Sequence, residues 1–120
     1  MIEEAGLTYL VEFHAEESQT ALPRLLSEGR RFDLAFIDGN HRFDFVFLDL
    51  VYAGRLLHGG GIVFVDDVQL RAVERAIRFC TTNLGWTIED ESQEDHLHHW
   101  AVLRIPSQAP IRPFDYFVDF

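Results

Sequence analysis

Apolar residues in this chain occur in two spacings, and the two alternate. Leu34 to Ile37 and Ile62 to Val65 are short unbroken apolar runs, the pattern of strands buried on both faces. Between them Phe43, Val46, Phe47, Leu50, Val51 and Leu57 recur at helical spacing over residues 42–57, with Asp44 and Asp49 off that stripe. This predicts a strand–helix–strand unit. Ser18 to Glu28 reads as a preceding helix, with Ser18 placed as its N-cap, Leu22, Leu25 and Leu26 on one face and Gly29 as its stop. Pro23 is compatible only with the first turn, which argues for a later start. Leu7 to His14 reads as a strand before that helix.

After Val65, Leu70, Val73, Ile77 and Cys80 mark the inner side of a helix from Gln69 to Asn83, and Gly85 ends it. Trp86–Glu89 and Trp100–Ile105 follow as two strands joined by an acidic, histidine-rich link, short enough to require antiparallel pairing. The pattern divides the chain into an α/β domain over residues 1–105 and a proline-rich, aromatic tail over residues 106–120 that docks onto its own domain or a second copy.

Length and composition narrow the options. At 120 residues the chain is one domain with enough apolar residues for a core. Its formal net charge is −10, which disfavours nucleic acid and anionic membrane as partners. Arg71, Arg75 and Arg78 share one helix and read as a solvated face. Cys80, the only cysteine, cannot form an intrachain disulfide and reads as a small core residue. No apolar run approaches a membrane span and the acidic start is no signal peptide, so the expected location is cytoplasmic.

The chemistry concentrates at the strand ends. Ligands of open parallel sheets bind just beyond the carboxyl ends of the strands. Asp38 follows one apolar run, and Asp66 and Asp67 follow the other. Adjacent parallel strands would bring these three carboxylates together, an arrangement that requires a cation or a proton. Oxygen donors of this kind suit Mg²⁺. His41 stands nearby as a base or orienting group. The same aspartates also suit the starts of the following helices. His96, His98 and His99 read as an exposed turn rather than a metal site, and His14 and His58 as ordinary surface or strand-end residues. Gly59 to Gly61 follow a helix and precede a strand, so they read as a helix stop and tight turn and not as a phosphate loop.

With these elements in place, the chain resembles the class I S-adenosylmethionine-dependent methyltransferases, closest to the small-molecule O-methyltransferases. Phe32-Asp33-Leu34 through His41 matches the family's fourth strand and following loop, and Leu56 through Asp67 its glycine turn and fifth strand. Ile2 to Leu7 and Glu12 to Leu25 resemble the end of its second core helix and its third strand. The resemblance covers about residues 2–105. It implies a three-layer Rossmann-like α/β fold, truncated, with a mostly parallel sheet and an antiparallel C-terminal strand. It also implies S-adenosylmethionine as cofactor, with Glu16, Glu17, Ser18 and Asp38 on the cofactor side. His41 and Asp38 would be catalytic, and Asp38, Asp66 and Asp67 would hold Mg²⁺, which orients and acidifies a substrate hydroxyl.

The family's first strand, glycine-rich loop and second strand have no counterpart among these residues, and Glu16 stands where the family usually has glycine. The Leu7–His14 strand then pairs either with Leu34–Ile37 or with another chain, and a free sheet edge predicts self-association. Two functions are compatible with this. One is O-methyl transfer to a small hydroxylated substrate when the fold is complete. The other is a catalytically inactive methyltransferase remnant that dimerises or binds protein.

Overall fold

The computed structural model describes residues 1–92 and 97–120. The elements run α1 (Ser18–Ser27), β1 (Phe32–Ile37), α2 (Phe43–Leu56), β2 (Leu57–Val65), α3 (Arg71–Asn83), β3 (Thr87–Glu91) and β4 (Ala101–Arg104). The strands form one sheet in the order β1-β2-β4-β3. β1 and β2 are parallel, joined by α2 as the crossover, while β4 lies antiparallel to both β2 and β3. The sheet is therefore mixed, with a single parallel pair among the described residues, and the antiparallel C-terminal pair is in place.

Side-chain alternation decides which face of the sheet is buried. Val63, Val65, Ala101 and Leu103 point to one face and meet Val46 and Leu50 of α2 and Val73, Ala76, Ile77 and Cys80 of α3. Each fully buried valine or leucine contributes about 1.5–3 kcal/mol relative to exposure. Helix α1 packs on the flank of α2. The opposite face carries Leu34 and Phe36, which are 60% and 58% exposed. Phe36, Phe64 and Trp100 stack across this face, with ring centroids 5.1 and 5.6 Å apart. The helices that pack on the sheet do so on one face, so the expected third layer is not formed by the described residues.

Three local expectations are corrected. Residues 7–14 form no strand: a single 3₁₀ turn spans Thr8–Leu10, and Tyr9, Leu10, Val11 and Phe13 are exposed. A strand needs a partner for its backbone groups, and this segment is tethered by side chains instead, Arg30 to Glu12 at 2.9 Å and Arg24 to Glu16. The edge of β1 away from β2 is left without a partner strand among the described residues. Second, Asp49 is buried at 7% exposure. It belongs to the inner stripe with Val46, Leu50 and Ala53 because α2 is covered from two sides, by α1 and by α3.

Third, the glycine run lies within β2 rather than in a turn between elements. The ladder pairs Phe32 with Leu57 but Leu34 with Ile62, so three extra residues bulge from β2. Gly60 adopts φ +80°, which glycine tolerates. A Cβ on Gly59 would lie 2.1 Å from the Ser107 carbonyl oxygen, so the tail packs directly on this backbone. Elsewhere, α1 starts one residue after Glu17, the position that caps it in place of Ser18, and Pro23 sits inside the helix.

The tail over 106–120 docks on its own domain. The buried Asn83 amide donates to the Val118 carbonyl and accepts from the Val118 N–H, both at 2.8 Å. Phe120 packs against Phe79 and Phe43, with centroids at 5.2 and 6.4 Å, under the Arg75 guanidinium. Substituting Asn83→Ala removes both bonds and leaves the Val118 backbone unpaired. The expected cost is about 1–3 kcal/mol, read as a lower midpoint in urea unfolding, with an unchanged midpoint counting against the anchor.

Candidate active site

The parallel pairing of β1 with β2 sets the site. Both strands end at the same side, and the Asp66 N–H continues the ladder one step by donating to the Ile37 carbonyl at 3.1 Å. Asp38 leaves β1 there and Asp67 leaves β2 there. The loop of Asp38 to Arg42 turns into α2, steadied by the Asn40 side chain, which accepts the Arg42 N–H at 2.9 Å. That turn places His41 Nε2 2.9 Å from Asp67 Oδ2. Ligand atoms of Asp38, His41 and Asp67 all lie within 4.8 Å of one another.

Asp66 does not join this group. Its Oδ1 accepts the N–H of Asp67 at 2.8 Å. Asp67 has φ +58°, a left-handed conformation that aspartate adopts more readily than most residues. The Asp66 carboxylate therefore steadies the backbone turn that aims Asp67. Of the three aspartates singled out from sequence, two converge and the third supports the turn.

Gln69 carries a role with no signal in the sequence. Its Nε2 donates to Asp67 Oδ1 at 2.9 Å, and its Oε1 accepts the His99 N–H at 3.0 Å. The Val68 N–H donates to the His99 carbonyl at 2.8 Å, so the loop after β2 is stapled to the approach to β4. The same staple brings His98 to the site, with Nδ1 3.7 Å from Asp67 Oδ1. The histidine-rich turn thus borders the carboxylate; His96 lies outside the described residues. The Gln69 hydrogen bond, followed by the charges of His41 and His98, holds the Asp67 carboxyl below its ordinary value.

The residues expected on the cofactor side lie at the start of α1. Glu17 occupies the cap position without a side-chain cap bond, and its carboxylate accepts from Gln19. Glu16 is engaged by Arg24. Ser18 neighbours the buried Asp49, whose Oδ1 has no hydrogen-bond partner and whose Oδ2 lies 3.4 Å from where a Gly39 Cβ would stand. Asp49 therefore links the start of α1 to the Asp38 loop from beneath. Burial raises its carboxyl above the ordinary value, and the Ser18 hydroxyl offsets part of that. Away from the site, burial pushes the Cys80 thiol up to about 12, in keeping with a core residue.

Two titrations test these assignments. Asp67 has a folded value below its unfolded one, so its stabilisation is present above the unfolded value and is lost as pH falls through the folded value. Gln69→Leu removes the largest cause, so the Asp67 carboxyl should titrate at higher pH and the pH-dependent stabilisation should shrink, followed by NMR of the Asp67 carboxyl carbon; an unshifted titration would refute the role of Gln69. Asp49 has the opposite sign: stability falls as pH rises from the unfolded to the folded value. Asp49→Asn should then raise the melting temperature by about 2–8 °C near neutral pH. The gain should vanish below pH ~3.5, where the carboxyl is protonated in both states; a gain equal at both pH values would show that charge is not the cause.

Comparisons with known proteins agree with this architecture. The methyltransferase-domain family matches residues 1–68. No curated protein matches the chain. Among solved structures, the O-methyltransferase TomG from Streptomyces achromogenes, involved in tomaymycin synthesis and solved with SAM, superposes with a TM-score of 0.73 at 22% identity over 88% of this chain and 54% of its own. Cofactor-bound Rv0187 from MTB gives 0.74 at 20% identity, covering 89% of this chain and 54% of its own. TrmN from Thermus thermophilus gives 0.63 at 20% identity, covering 87% and 31%. The chain spans about half the length of the first two. By the family match over more than half its residues, and with an α/β fold shared with TomG and Rv0187 over about half their length, the chain belongs to the methyltransferase-domain family.

Proposed function

We propose that these residues form the acceptor side of an S-adenosylmethionine-dependent O-methyltransferase acting on a small hydroxylated substrate. The observation that carries this reading is the His41–Asp67 contact of 2.9 Å, beside Asp38, at the carboxyl ends of two parallel strands. An imidazole held by a carboxylate is the ordinary arrangement of a general base. Asp67 orients the ring and stabilises the imidazolium that forms, while His41 takes the hydroxyl proton. Asp38 flanks the pair and adds a second carboxylate to the site. His41 is 44% exposed, so a substrate hydroxyl can reach it.

S-adenosylmethionine, when bound, supplies the electrophilic methyl group. This chain offers it the start of α1 around Glu16, Glu17 and Ser18 together with the Asp38 loop, but no glycine-rich loop. In place of that base, the same cluster fits a divalent cation, held by Asp38, His41 and Asp67, which would itself polarise a substrate hydroxyl. With Asp66 committed to the backbone, the donors are two carboxylates and an imidazole. That set suits Mn²⁺ or Zn²⁺ better than Mg²⁺.

Binding of S-adenosylmethionine to these 120 residues should be weak, with Kd above about 0.1 mM. NMR shift changes should be confined to residues 16–18 and the Asp38 loop; no change at millimolar cofactor would count against the reading. Mn²⁺ should raise the melting temperature by mass action, an effect that Asp67→Asn removes. A Mn²⁺ effect that persists in Asp67→Asn would place the ion elsewhere.

A further inference from the structure

At the opposite end of the sheet from Asp38, His41 and Asp67, the tail arches over a cavity of about 590 Å³. This is within the size range of small-molecule sites. The arch is fixed at both feet. Near its start, the Gly60 N–H donates to the Pro106 carbonyl at 3.2 Å, and Ser107 lies against Gly59. Near its end, Asn83 holds Val118 by two hydrogen bonds. The wall is apolar, with the buried Trp86 and Ile105 and the partly buried Leu84 and Pro106. Trp86 is brought up closely by Gly54, where a Cβ would lie 2.5 Å from the indole ring.

The charges around this cavity run against the rest of the molecule. The chain has twenty acidic and ten basic residues. The cavity is lined by two arginines, Arg55 and Arg112, and by no aspartate or glutamate. The described ion pairs engage Arg24, Arg30, Arg42, Arg78 and Arg104, and neither of these two. Each guanidinium is instead backed by a tyrosine ring, Arg112 at 4.0 Å over Tyr116 and Arg55 at 5.9 Å from Tyr52. Stacking of this kind occupies the face of a guanidinium and leaves its N–H edge to grip an oxyanion in a fork. The Arg112 Nη2 reaches over Gly85, 3.8 Å from where a Cβ would stand, so a larger residue there would crowd it.

We propose that this cavity is a second ligand site, for a flat organic anion whose oxyanion is held by Arg55 and Arg112 and whose apolar body packs on Trp86. The oxyanion is a carboxylate or a phosphate ester. The site is independent of the methyl-transfer reading, since it shares none of those residues.

Fluorescence can test it in the whole chain. With Trp100→Phe, Trp86 is the single remaining tryptophan. Phenyl phosphate or benzoate should quench it saturably, and the tighter of the two tells a phosphate ester from a carboxylate. Phenol, lacking the anion, and inorganic phosphate, lacking the ring, should not saturate. Arg112→Gln and Arg55→Gln should each weaken binding about tenfold or more, with circular dichroism unchanged because both side chains are exposed. Arg112→Lys should recover only part of the loss, and Asp67→Asn, at the other end of the sheet, should leave the quenching curve unchanged. The proposal is overturned by absence of saturable quenching, by quenching that survives Arg55→Gln with Arg112→Gln, or by phenol binding as tightly as phenyl phosphate. It is equally overturned if the arginine variants lower the melting temperature but leave binding intact. The arginines would then serve only to offset the carbonyl ends of α2 and α3.

Discussion

The parallel pairing of β1 with β2 is the constraint on which the rest of the structure depends. Parallel neighbours require a crossover, and α2 supplies it, so its inner stripe must seal the sheet while its start caps the site. Because both strands run the same way, their carboxyl ends coincide, and residues 29 positions apart in sequence, Asp38 and Asp67, become neighbours. An antiparallel pair would have sent the two aspartates to opposite ends. The bulge at the glycine run belongs to the same constraint. It absorbs three residues at the base of β2 so that the upper part of the ladder, from Leu34 with Ile62 to Ile37 with Val65, stays in register beneath the site.

Much of this was legible in the residues, for a physical reason. Buried strands and amphipathic helices must carry apolar residues at fixed periods, so β1, α2, β2, α3 and the β3–β4 pair follow from spacing alone. What stayed hidden depended on partners. Leu7 to His14 has the composition of a strand, but composition supplies no neighbour, and the segment stays exposed. Asp49 looked peripheral because the stripe of α2 was drawn for one covering layer, whereas α1 widens it. Asp66 and Asp67 are equivalent in sequence; only the left-handed turn at Asp67 distinguishes the one that faces the site from the one that holds it up. Gln69 and His98 enter through a loop contact that no periodicity encodes.

The two ends of the sheet show opposite electrostatic designs. At the carboxyl end, carboxylates gather around imidazoles, and a single glutamine fixes the sense of the network: its oxygen is taken by the His99 backbone, so its amide hydrogens must face Asp67. At the other end, arginines stand on tyrosine rings within an apolar arch. The protein as a whole is acidic, so the first arrangement follows the general field and the second works against it.

The edge of β1 away from β2, which pairs with no strand among the described residues, has a colloidal consequence for these 120 residues on their own. Phe32-Asp33-Leu34-Ala35-Phe36-Ile37 is an edge strand with one charge, no proline and three large exposed side chains, Phe32, Leu34 and Phe36. Strands of that kind template growth by further strands, and proteins usually blunt them with lysine or a bulge at the tip. Here no lysine exists anywhere in the chain, and the bulge is on β2, away from the free edge. Mutual repulsion among molecules of charge −10 opposes contact between such edges. That repulsion reaches only about 10 Å at 0.1 M salt and shrinks further as salt is added. Wherever that edge is left free, contact between copies is thus opposed by charge, and added salt weakens the opposition.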